Sequence, residues 1–157
     1  MLSLHNYMLK TSNNTIINSK GRKVFLRGVN LGGWLMMEGY ILHGRNIAEK
    51  IFKAEFKKYH GQKELDSFTE LYGSNFIAES DFKNISSLGF NCIRIPFNYR
   101  LIENKVGIGI LKNAVKLCKK HNIYCILDMH AAPGSQNEDW HADSCGKAEL
   151  WSDKNNQ

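Results

Sequence analysis

Polar and ionisable side chains crowd residues 127–141, a segment that leaves an apolar run and enters a loop rich in Gly, Pro, Gln and Asn. Alternation along an extended chain would put Asp128 and His130 on one side, away from the apolar residues that separate them. His130 comes last and would meet a ligand first, although a histidine at a strand end is often a hydrogen-bonded structural group. The polar loop favours ligand contact for His130, and we expect Asp128 to hold loop backbone.

Arg94 is a second residue that could do chemistry, because Ile93 and Ile95 flank it in a segment with the character of a buried strand. A guanidinium keeps its charge and is costly to desolvate, so a carboxylate or a bound anion is expected beside it. A structural ion pair would meet that need. The functional alternative is that Arg94 keeps a catalytic carboxylate ionised and correctly oriented through paired hydrogen bonds.

Further candidates follow the same strand ends. They are Asn30, Trp34 and Glu38 after the first strand, Asn98 and Tyr99 after the second, and Gln136, Asn137, Trp140, His141 and Asp143 after the third. Aromatic faces bind the apolar faces of sugar rings as well as filling cores, so Trp34 and Trp140 are candidate sugar platforms, whereas we expect Trp151 to fill the core. The histidines and aspartates of the third loop match no compact zinc pattern, so we expect neither a metal nor a cofactor.

The elements that must position these residues alternate between strand and helix. From the amino end, the patterns predict a hairpin within 15–26, a strand in 27–34 and helical segments in 47–72 with a break at Gly61. They then predict a helix from Ile77 to Leu88 ending at Gly89, a strand over 91–99 stopped by Pro96, a helix from Ile110 that ends near His121 and Asn122, and a strand over 124–129. After the hairpin the order is therefore β, α, β, α, β.

This order indicates an α/β fold with parallel strands that helices cover on both faces. Two architectures remain open at this point, an open doubly wound sheet and a (β/α) barrel. The first strand's turn reads GVNLGGW, which lacks the glycine fingerprint of dinucleotide-binding folds and puts a tryptophan where a phosphate would need room. In either architecture the chemistry lies beyond the carboxyl ends of the strands.

Length, composition and charge limit the classes of protein to which the chain can belong. The chain has 157 residues, is 43% hydrophobic and carries a net charge of +6, with its lysines scattered along predicted helices, which is typical of a solvated surface and not of nucleic-acid binding. No apolar run approaches the ~20 residues of a membrane span. Residues 1–9 lack the features of a signal peptide and the four cysteines show no paired spacing, so we favour a reduced, cytoplasmic location.

Three motifs in order, RGVNLGGWLMMEGY, LGFNCIRIPFNY and ILDMHAAPGSQN, resemble the amino-terminal part of glycoside hydrolase family five, the cellulase-like enzymes. The first motif, with Glu38, is most similar to the exo-β-1,3-glucanase branch, and the resemblance spans residues 15–143. It implies that residues 1–157 are an amino-terminal fragment of one (β/α)8 barrel domain, with about the first three βα units preceded by a hairpin.

The resemblance also implies roles for the strand-end residues. Retaining hydrolysis of β-glycosidic bonds would use two glutamates, with carboxyl groups about 5–5.5 Å apart. Arg94 would brace the nucleophile and His130 would bind the sugar where the bond breaks, both as supporting residues. The residues expected to contact a β-glucan oligo- or polysaccharide are Glu38, Trp34, Asn30, Tyr99, Gln136, Asn137, Trp140, His141 and Asp143.

Both catalytic glutamates of the family end later strands, so the resemblance implies that no catalytic carboxylate lies within these 157 residues. The carboxylate partner of Arg94 would then come from further polypeptide. Two alternatives stay open, a non-catalytic carbohydrate-binding remnant and an unrelated α/β protein whose Arg94 pairs structurally. Three parallel strands cannot close into a barrel, so we also predict self-association through open strand edges, and no nucleic-acid or membrane partner.

Overall fold

Three parallel strands in the order β3-β4-β5 form the central sheet, and a separate antiparallel pair, β1-β2, precedes it. The structure, a computed structural model, describes residues 8–103 and 105–157. Its strands are β1 (Leu9–Ser12), β2 (Thr15–Asn18), β3 (Gly28–Asn30), β4 (Cys92–Asn98) and β5 (Tyr124–Ala131), and its helices are α1 (Glu49–His60), α2 (Gln62–Asn75), α3 (Glu79–Ser87) and α4 (Lys105–Lys120). Short 3-10 turns span Tyr99–Glu103, Trp140–Ala142 and Lys154–Asn156. The α/β prediction is confirmed.

The core lies between β4 and the helices that follow β3 and β4. Ile93, Ile95 and Phe97 alternate along β4 onto one face and are at most 6% exposed. Phe82 of α3 and Ala114 of α4 pack in the same cluster. Burial of each large apolar side chain contributes about 1.5–3 kcal/mol, so this face anchors the sheet to its helices.

The opposite face of β4 carries Arg94, and the strand register determines which residues lie near it. Asn30 of β3 is paired with Arg94, and Pro96 is paired with Asp128 of β5. Since the three strands are parallel, their carboxyl ends meet at one edge of the sheet, and polar residues from all three can approach one another there.

The predicted break between two helices is confirmed at Gly61, whose φ of 89° separates α1 from α2. Gly89 has a φ of 82° and follows α3, as predicted for a residue that ends a helix. Leu88, the last residue of the predicted helix, is 74% exposed. The helix ends at Ser87, so Leu88 no longer follows the helical face.

Two strand predictions are confirmed only in part. The hairpin predicted within 15–26 is present as a short antiparallel pairing: Lys23 bridges to Ile17, and the amide of Val24 donates to the carbonyl of Ile16 at 2.9 Å. The longer pairing of β2 is with β1, whose sequence LKTS gave no strand signal. Pro96 does not stop β4, which runs on to Asn98. The proline's missing N–H faces the side of β3, and β3 has already ended at Asn30, so no ladder hydrogen bond is lost.

Among residues 8–103 and 105–157, no helix is long and apolar enough to cross a membrane. The four cysteines are free thiols: Cys92 and Cys118 are buried, Cys125 is half-buried and Cys145 is exposed. Residues 1–7, most of the segment considered for a signal peptide, lie outside the described residues.

Candidate functional site

The centre of the site is the guanidinium of Arg94. Its Nη1 donates to Asn30 Oδ1 at 2.7 Å, and its Nη2 donates to Asp128 Oδ2 at 2.5 Å. The Arg94 and Asp128 side chains are 37% and 31% exposed, so the ion pair contributes a net stability nearer the about 0–1 kcal/mol of surface pairs than that of buried pairs. Its main effect is geometric, because the planar fork fixes groups from β3 and β5 relative to β4.

His130 completes this cluster. Its Nδ1 lies 2.9 Å from Asp128 Oδ2 and 3.0 Å from Arg94 Nη2. A guanidinium only donates and a carboxylate only accepts, so Nδ1 either donates its proton to Asp128 or accepts one from Arg94. In both tautomers Nε2 is the ring nitrogen left to contact a ligand, as an acceptor in the first and a donor in the second.

A row of rings leads from His130 to a buried carboxylate. The ring centroids of His130 and His141 are 5.7 Å apart, those of His141 and Trp140 are 5.6 Å apart, and those of Trp140 and Tyr40 are 5.8 Å apart. The Tyr40 hydroxyl then donates to Glu38 Oε1 at 3.3 Å. The negative charge of Glu38 raises the pKa of Tyr40, which keeps this hydroxyl protonated. We call the set from Arg94 through this row to Glu38 the polar row.

Glu38 is held by the Gly-Gly turn of the first motif. The carboxylate is 5% exposed, and its Oε2 accepts the amide of Gly33 at 3.1 Å. Gly33 has a φ of 73°, and a Cβ on Gly32 would lie 2.9 Å from Glu38 Oε2 and 2.5 Å from Ile41 Cδ1. Only glycines let this turn wrap so closely around the carboxylate.

Gln136 holds the loop after β5. Its Oε1 accepts the amide of Ala132 at 3.1 Å, and its Nε2 donates to the carbonyl of His130 at 2.6 Å. We expected Asp128 to tether this loop, but Asp128 is occupied by Arg94 and His130, and the tether is Gln136. Asn137 faces the row, with Nδ2 3.4 Å from His141 Nε2.

The tryptophan predictions need correction as well. Trp34 was a candidate sugar platform, but it is 4% exposed and packs edge-on against Phe82. Its indole N–H donates to the carbonyl of Gly73 at 2.9 Å, so its polar edge is also enclosed. Trp151 was expected in the core, yet it is 69% exposed, with its indole N–H donating to the carbonyl of Gln136 at 2.7 Å.

Asp143 and Tyr99 border a different part of the surface. Both line a polar cavity of about 440 Å³, together with Lys50 and Arg100. Asp143 is 2% exposed: Oδ1 accepts the amide of Lys50 at 2.7 Å, and Oδ2 accepts from Asn98 at 3.2 Å and from Arg100 at 3.4 Å. These bonds join the start of α1 to the end of β4, which is a structural task for Asp143.

A family model described as cellulase (glycosyl hydrolase family 5) matches residues 49–156. The chain belongs to glycosyl hydrolase family 5. The resemblance inferred from the three motifs is thereby confirmed.

Relatives of this family 5 chain include two fungal glycosidases. The chain is 38% identical to a beta-xylosidase of Phanerodontia chrysosporium over 95% of its own length, and 32% identical to a glucan 1,3-beta-glucosidase of Lachancea kluyveri over 91%. These alignments cover 33% and 38% of the relatives, so the chain spans about a third of their length. The crystal structure of rutinosidase from Aspergillus niger matches with a TM-score of 0.64 at 22% identity, covering 82% of this chain and 39% of that one, which supports the α/β fold.

The family 5 chain brings together most of the residues predicted for its site. Asn30, Glu38, Arg94, His130, Asn137, Trp140 and His141 belong to the polar row or border it. Sequence reasoning missed Tyr40, whose only signal was its place two residues after Glu38. Within the part of the chain that the structure describes, no group of three or more His, Cys, Asp and Glu side chains could hold a metal ion.

Proposed function

We propose that this chain supplies the sugar-binding side of the active site of a retaining β-glycoside hydrolase that acts on β-linked glucans. The observation that carries the proposal is the polar row, in which a continuous series of contacts joins Arg94 and His130, through Trp140 and Tyr40, to Glu38. Aromatic faces beside hydrogen-bonding side chains suit a glucose ring, whose faces carry C–H groups and whose edge carries the hydroxyls. The glucan 1,3-beta-glucosidase among the relatives supports the same substrate class.

The carboxylates of the polar row suit binding better than bond cleavage. Glu38 accepts hydrogen bonds from Gly33 and Tyr40, and Asp128 accepts from Arg94 and can accept from His130. A nucleophile and an acid/base group must instead be directed at the anomeric carbon, with carboxyl groups about 5–5.5 Å apart. We infer that both catalytic glutamates belong to polypeptide outside these 157 residues, and that this chain alone binds glucan without cleaving it.

The proposed architecture is the first three βα units of a (β/α)8 barrel, with residues 1–157 as part of one domain. The parallel order β3-β4-β5 and the one-third coverage of the relatives support it. Within the described ranges, β5 is paired only with β4, and Ile126, Leu127 and Met129 are 45%, 47% and 43% exposed. A further strand on this edge, followed by a helix, would cover them.

The isolated chain is expected to self-associate through the β5 edge, and Leu127→Lys is expected to shift it toward the monomer. A lysine on an exposed edge discourages pairing with another strand. Sedimentation velocity over a range of concentrations measures the effect. Leu71→Lys on α2, where the leucine is 60% exposed, is the matched control and should leave association unchanged. A wild-type chain that sediments as a monomer throughout would contradict the prediction.

Binding of laminaribiose, a β-1,3-linked glucose disaccharide, tests the proposed function. Titration followed by NMR is expected to show binding of laminaribiose and much weaker binding of nigerose, its α-1,3-linked counterpart. His130→Ala should weaken laminaribiose binding about 3- to 10-fold, the effect of one lost hydrogen bond. His60→Ala, at the exposed end of α1, should leave the affinity unchanged. Equal affinity for both disaccharides, or no effect of His130→Ala, would contradict sugar binding at the polar row.

A further inference from the structure

Helix α2 holds the Gly-Gly turn from outside the polar row. Two hydrogen bonds connect α2 to this turn: the Tyr72 hydroxyl donates to the carbonyl of Gly33, and the indole N–H of Trp34 donates to the carbonyl of Gly73. In each bond a side chain of one segment meets the backbone of the other. The turn is therefore fixed to α2 at two successive residues, Gly33 and Trp34.

Gly33 connects this attachment to Glu38. Its carbonyl accepts from Tyr72, and its amide donates to Glu38 Oε2 at 3.1 Å. The space around the turn is already filled, since a Cβ on Gly33 would lie 3.0 Å from Ile41 Cγ2. A shift of the Gly33 peptide would therefore move the donor that orients the carboxylate.

Tyr72 can hold the Gly33 peptide in place because its ring is fixed by stacking and its hydroxyl stays protonated. Its ring stacks on Phe68 and Phe76, with centroids 5.6 Å and 4.8 Å away and interplanar angles of 25° and 24°. Burial, with a further contribution from the charge of Glu49, raises the pKa of Tyr72 to about 12. The hydroxyl thus remains a donor over the whole range of pH in which a glycosidase works.

We propose that Tyr72 is a positioning residue for sugar binding: through the Gly33 peptide it sets the orientation of Glu38 toward the ligand. The inference rests on the proposed function, because it assigns Glu38 to sugar binding. It adds a role for α2, which also packs against α1 and α4. The alternative is that the Tyr72 hydroxyl stabilises the fold and has no specific effect on Glu38.

A double-mutant cycle separates these two roles. Tyr72→Phe keeps the stacked ring and removes only the hydroxyl, and it is expected to weaken laminaribiose binding about fivefold, whereas Glu38→Ala is expected to weaken it about tenfold. If Tyr72 acts through Glu38, the double variant binds no more weakly than Glu38→Ala alone. A loss in the double variant that equals the product of the two single losses would overturn the proposal, as would unchanged affinity of Tyr72→Phe.

A readout that needs no sugar keeps the proposal testable if the proposed function fails. Carbon-13 NMR of the Glu38 side-chain carboxyl, together with the Gly33 amide resonance, should shift in Tyr72→Phe. Both should stay in place in Tyr59→Phe, the matched control at a tyrosine of α1 that is 71% exposed. If the wild-type chain binds no laminaribiose, the function proposed for the polar row is wrong. If the Glu38 and Gly33 resonances do not move in Tyr72→Phe, the positioning role is wrong.

Discussion

Replacing Arg94 by lysine is expected to weaken laminaribiose binding about 10- to 100-fold, because Asn30 and His130 would both lose their orientation toward the sugar, at about 0.5–1.5 kcal/mol for each hydrogen bond lost. Lysine keeps the charge but not the planar fork. One ammonium cannot hold Asn30 and Asp128 in the geometry that the two guanidinium nitrogens impose. His130, whose Nδ1 faces both Arg94 and Asp128, should lose its fixed orientation at the same time.

The affinity of the Arg94→Lys variant is measured by the same NMR titration as that of the wild type. Long-range nitrogen-15 spectra of the histidine ring report the tautomer of His130 and should change in this variant. The exposed Arg45 offers a matched control, and Arg45→Lys should retain wild-type affinity. If Arg94→Lys binds laminaribiose like the wild type, the guanidinium does not organise the site, and the ion pair of Arg94 with Asp128 only stabilises the fold.

Phe82→Ala is expected to lower the free energy of unfolding by about 3–5 kcal/mol, the range for truncating an aromatic side chain in a core. Phe82 is fully buried and packs edge-on against Trp34, with ring centroids 6.5 Å apart. Native proteins have about 5–15 kcal/mol of stability in total, so a loss of this size should leave the variant largely unfolded at modest denaturant concentrations. Urea unfolding followed by tryptophan fluorescence measures the loss.

Phe25→Ala is the control for this substitution, because Phe25 is 71% exposed and the same atoms are removed. It should change stability by less than about 1 kcal/mol. A Phe82→Ala variant within that limit would mean that α3 is not packed on the sheet as described. The polar row would then lack its rigid support, since Trp34 precedes Glu38 by four residues and shares this core.

Local signals in the sequence were sufficient for much of the fold. Gly61 and Gly89 were predicted to end helices, and both have a positive φ that other residues adopt at a cost. Ile93 and Ile95 on either side of Arg94 predicted a buried strand with a carboxylate or an anion beside the guanidinium; both isoleucines are buried, and Asp128 is a carboxylate at that place. Arg94 and His130 were both placed at carboxyl ends of parallel strands, and such ends meet at one edge of a sheet whatever the detailed register.

The sequence was insufficient where contacts through space decide the outcome. Arg94 was expected to await a carboxylate from further polypeptide, but Asp128 already provides one, beside His130. Whether that acid or a distant one is the partner depends on how far β5 is shifted against β4, which no single strand reveals. The contact of Tyr40 with Trp140 joins residues 100 positions apart and had no local signal.

The predictions for Trp34 and Trp151 were wrong because neither sequence position nor residue type determined their burial. Trp34 comes directly after a polar strand end, so sequence position favoured the site, yet the turn at Gly33 directs it into the core. Trp151 is large and apolar, so composition favoured the core, but its surroundings within the described residues leave most of it exposed. The direction in which a loop side chain points is set by the turn before it, not by its residue type.

The most direct measurement of the central claim is a crystal structure of the chain with bound laminaribiose. We predict that a glucose ring lies along the polar row, with its hydroxyls within hydrogen-bonding distance of His130 Nε2 and the Glu38 carboxylate and its apolar face against Trp140. A disaccharide bound only in the cavity beside Tyr99 and Asp143, with the polar row facing solvent, would contradict the account.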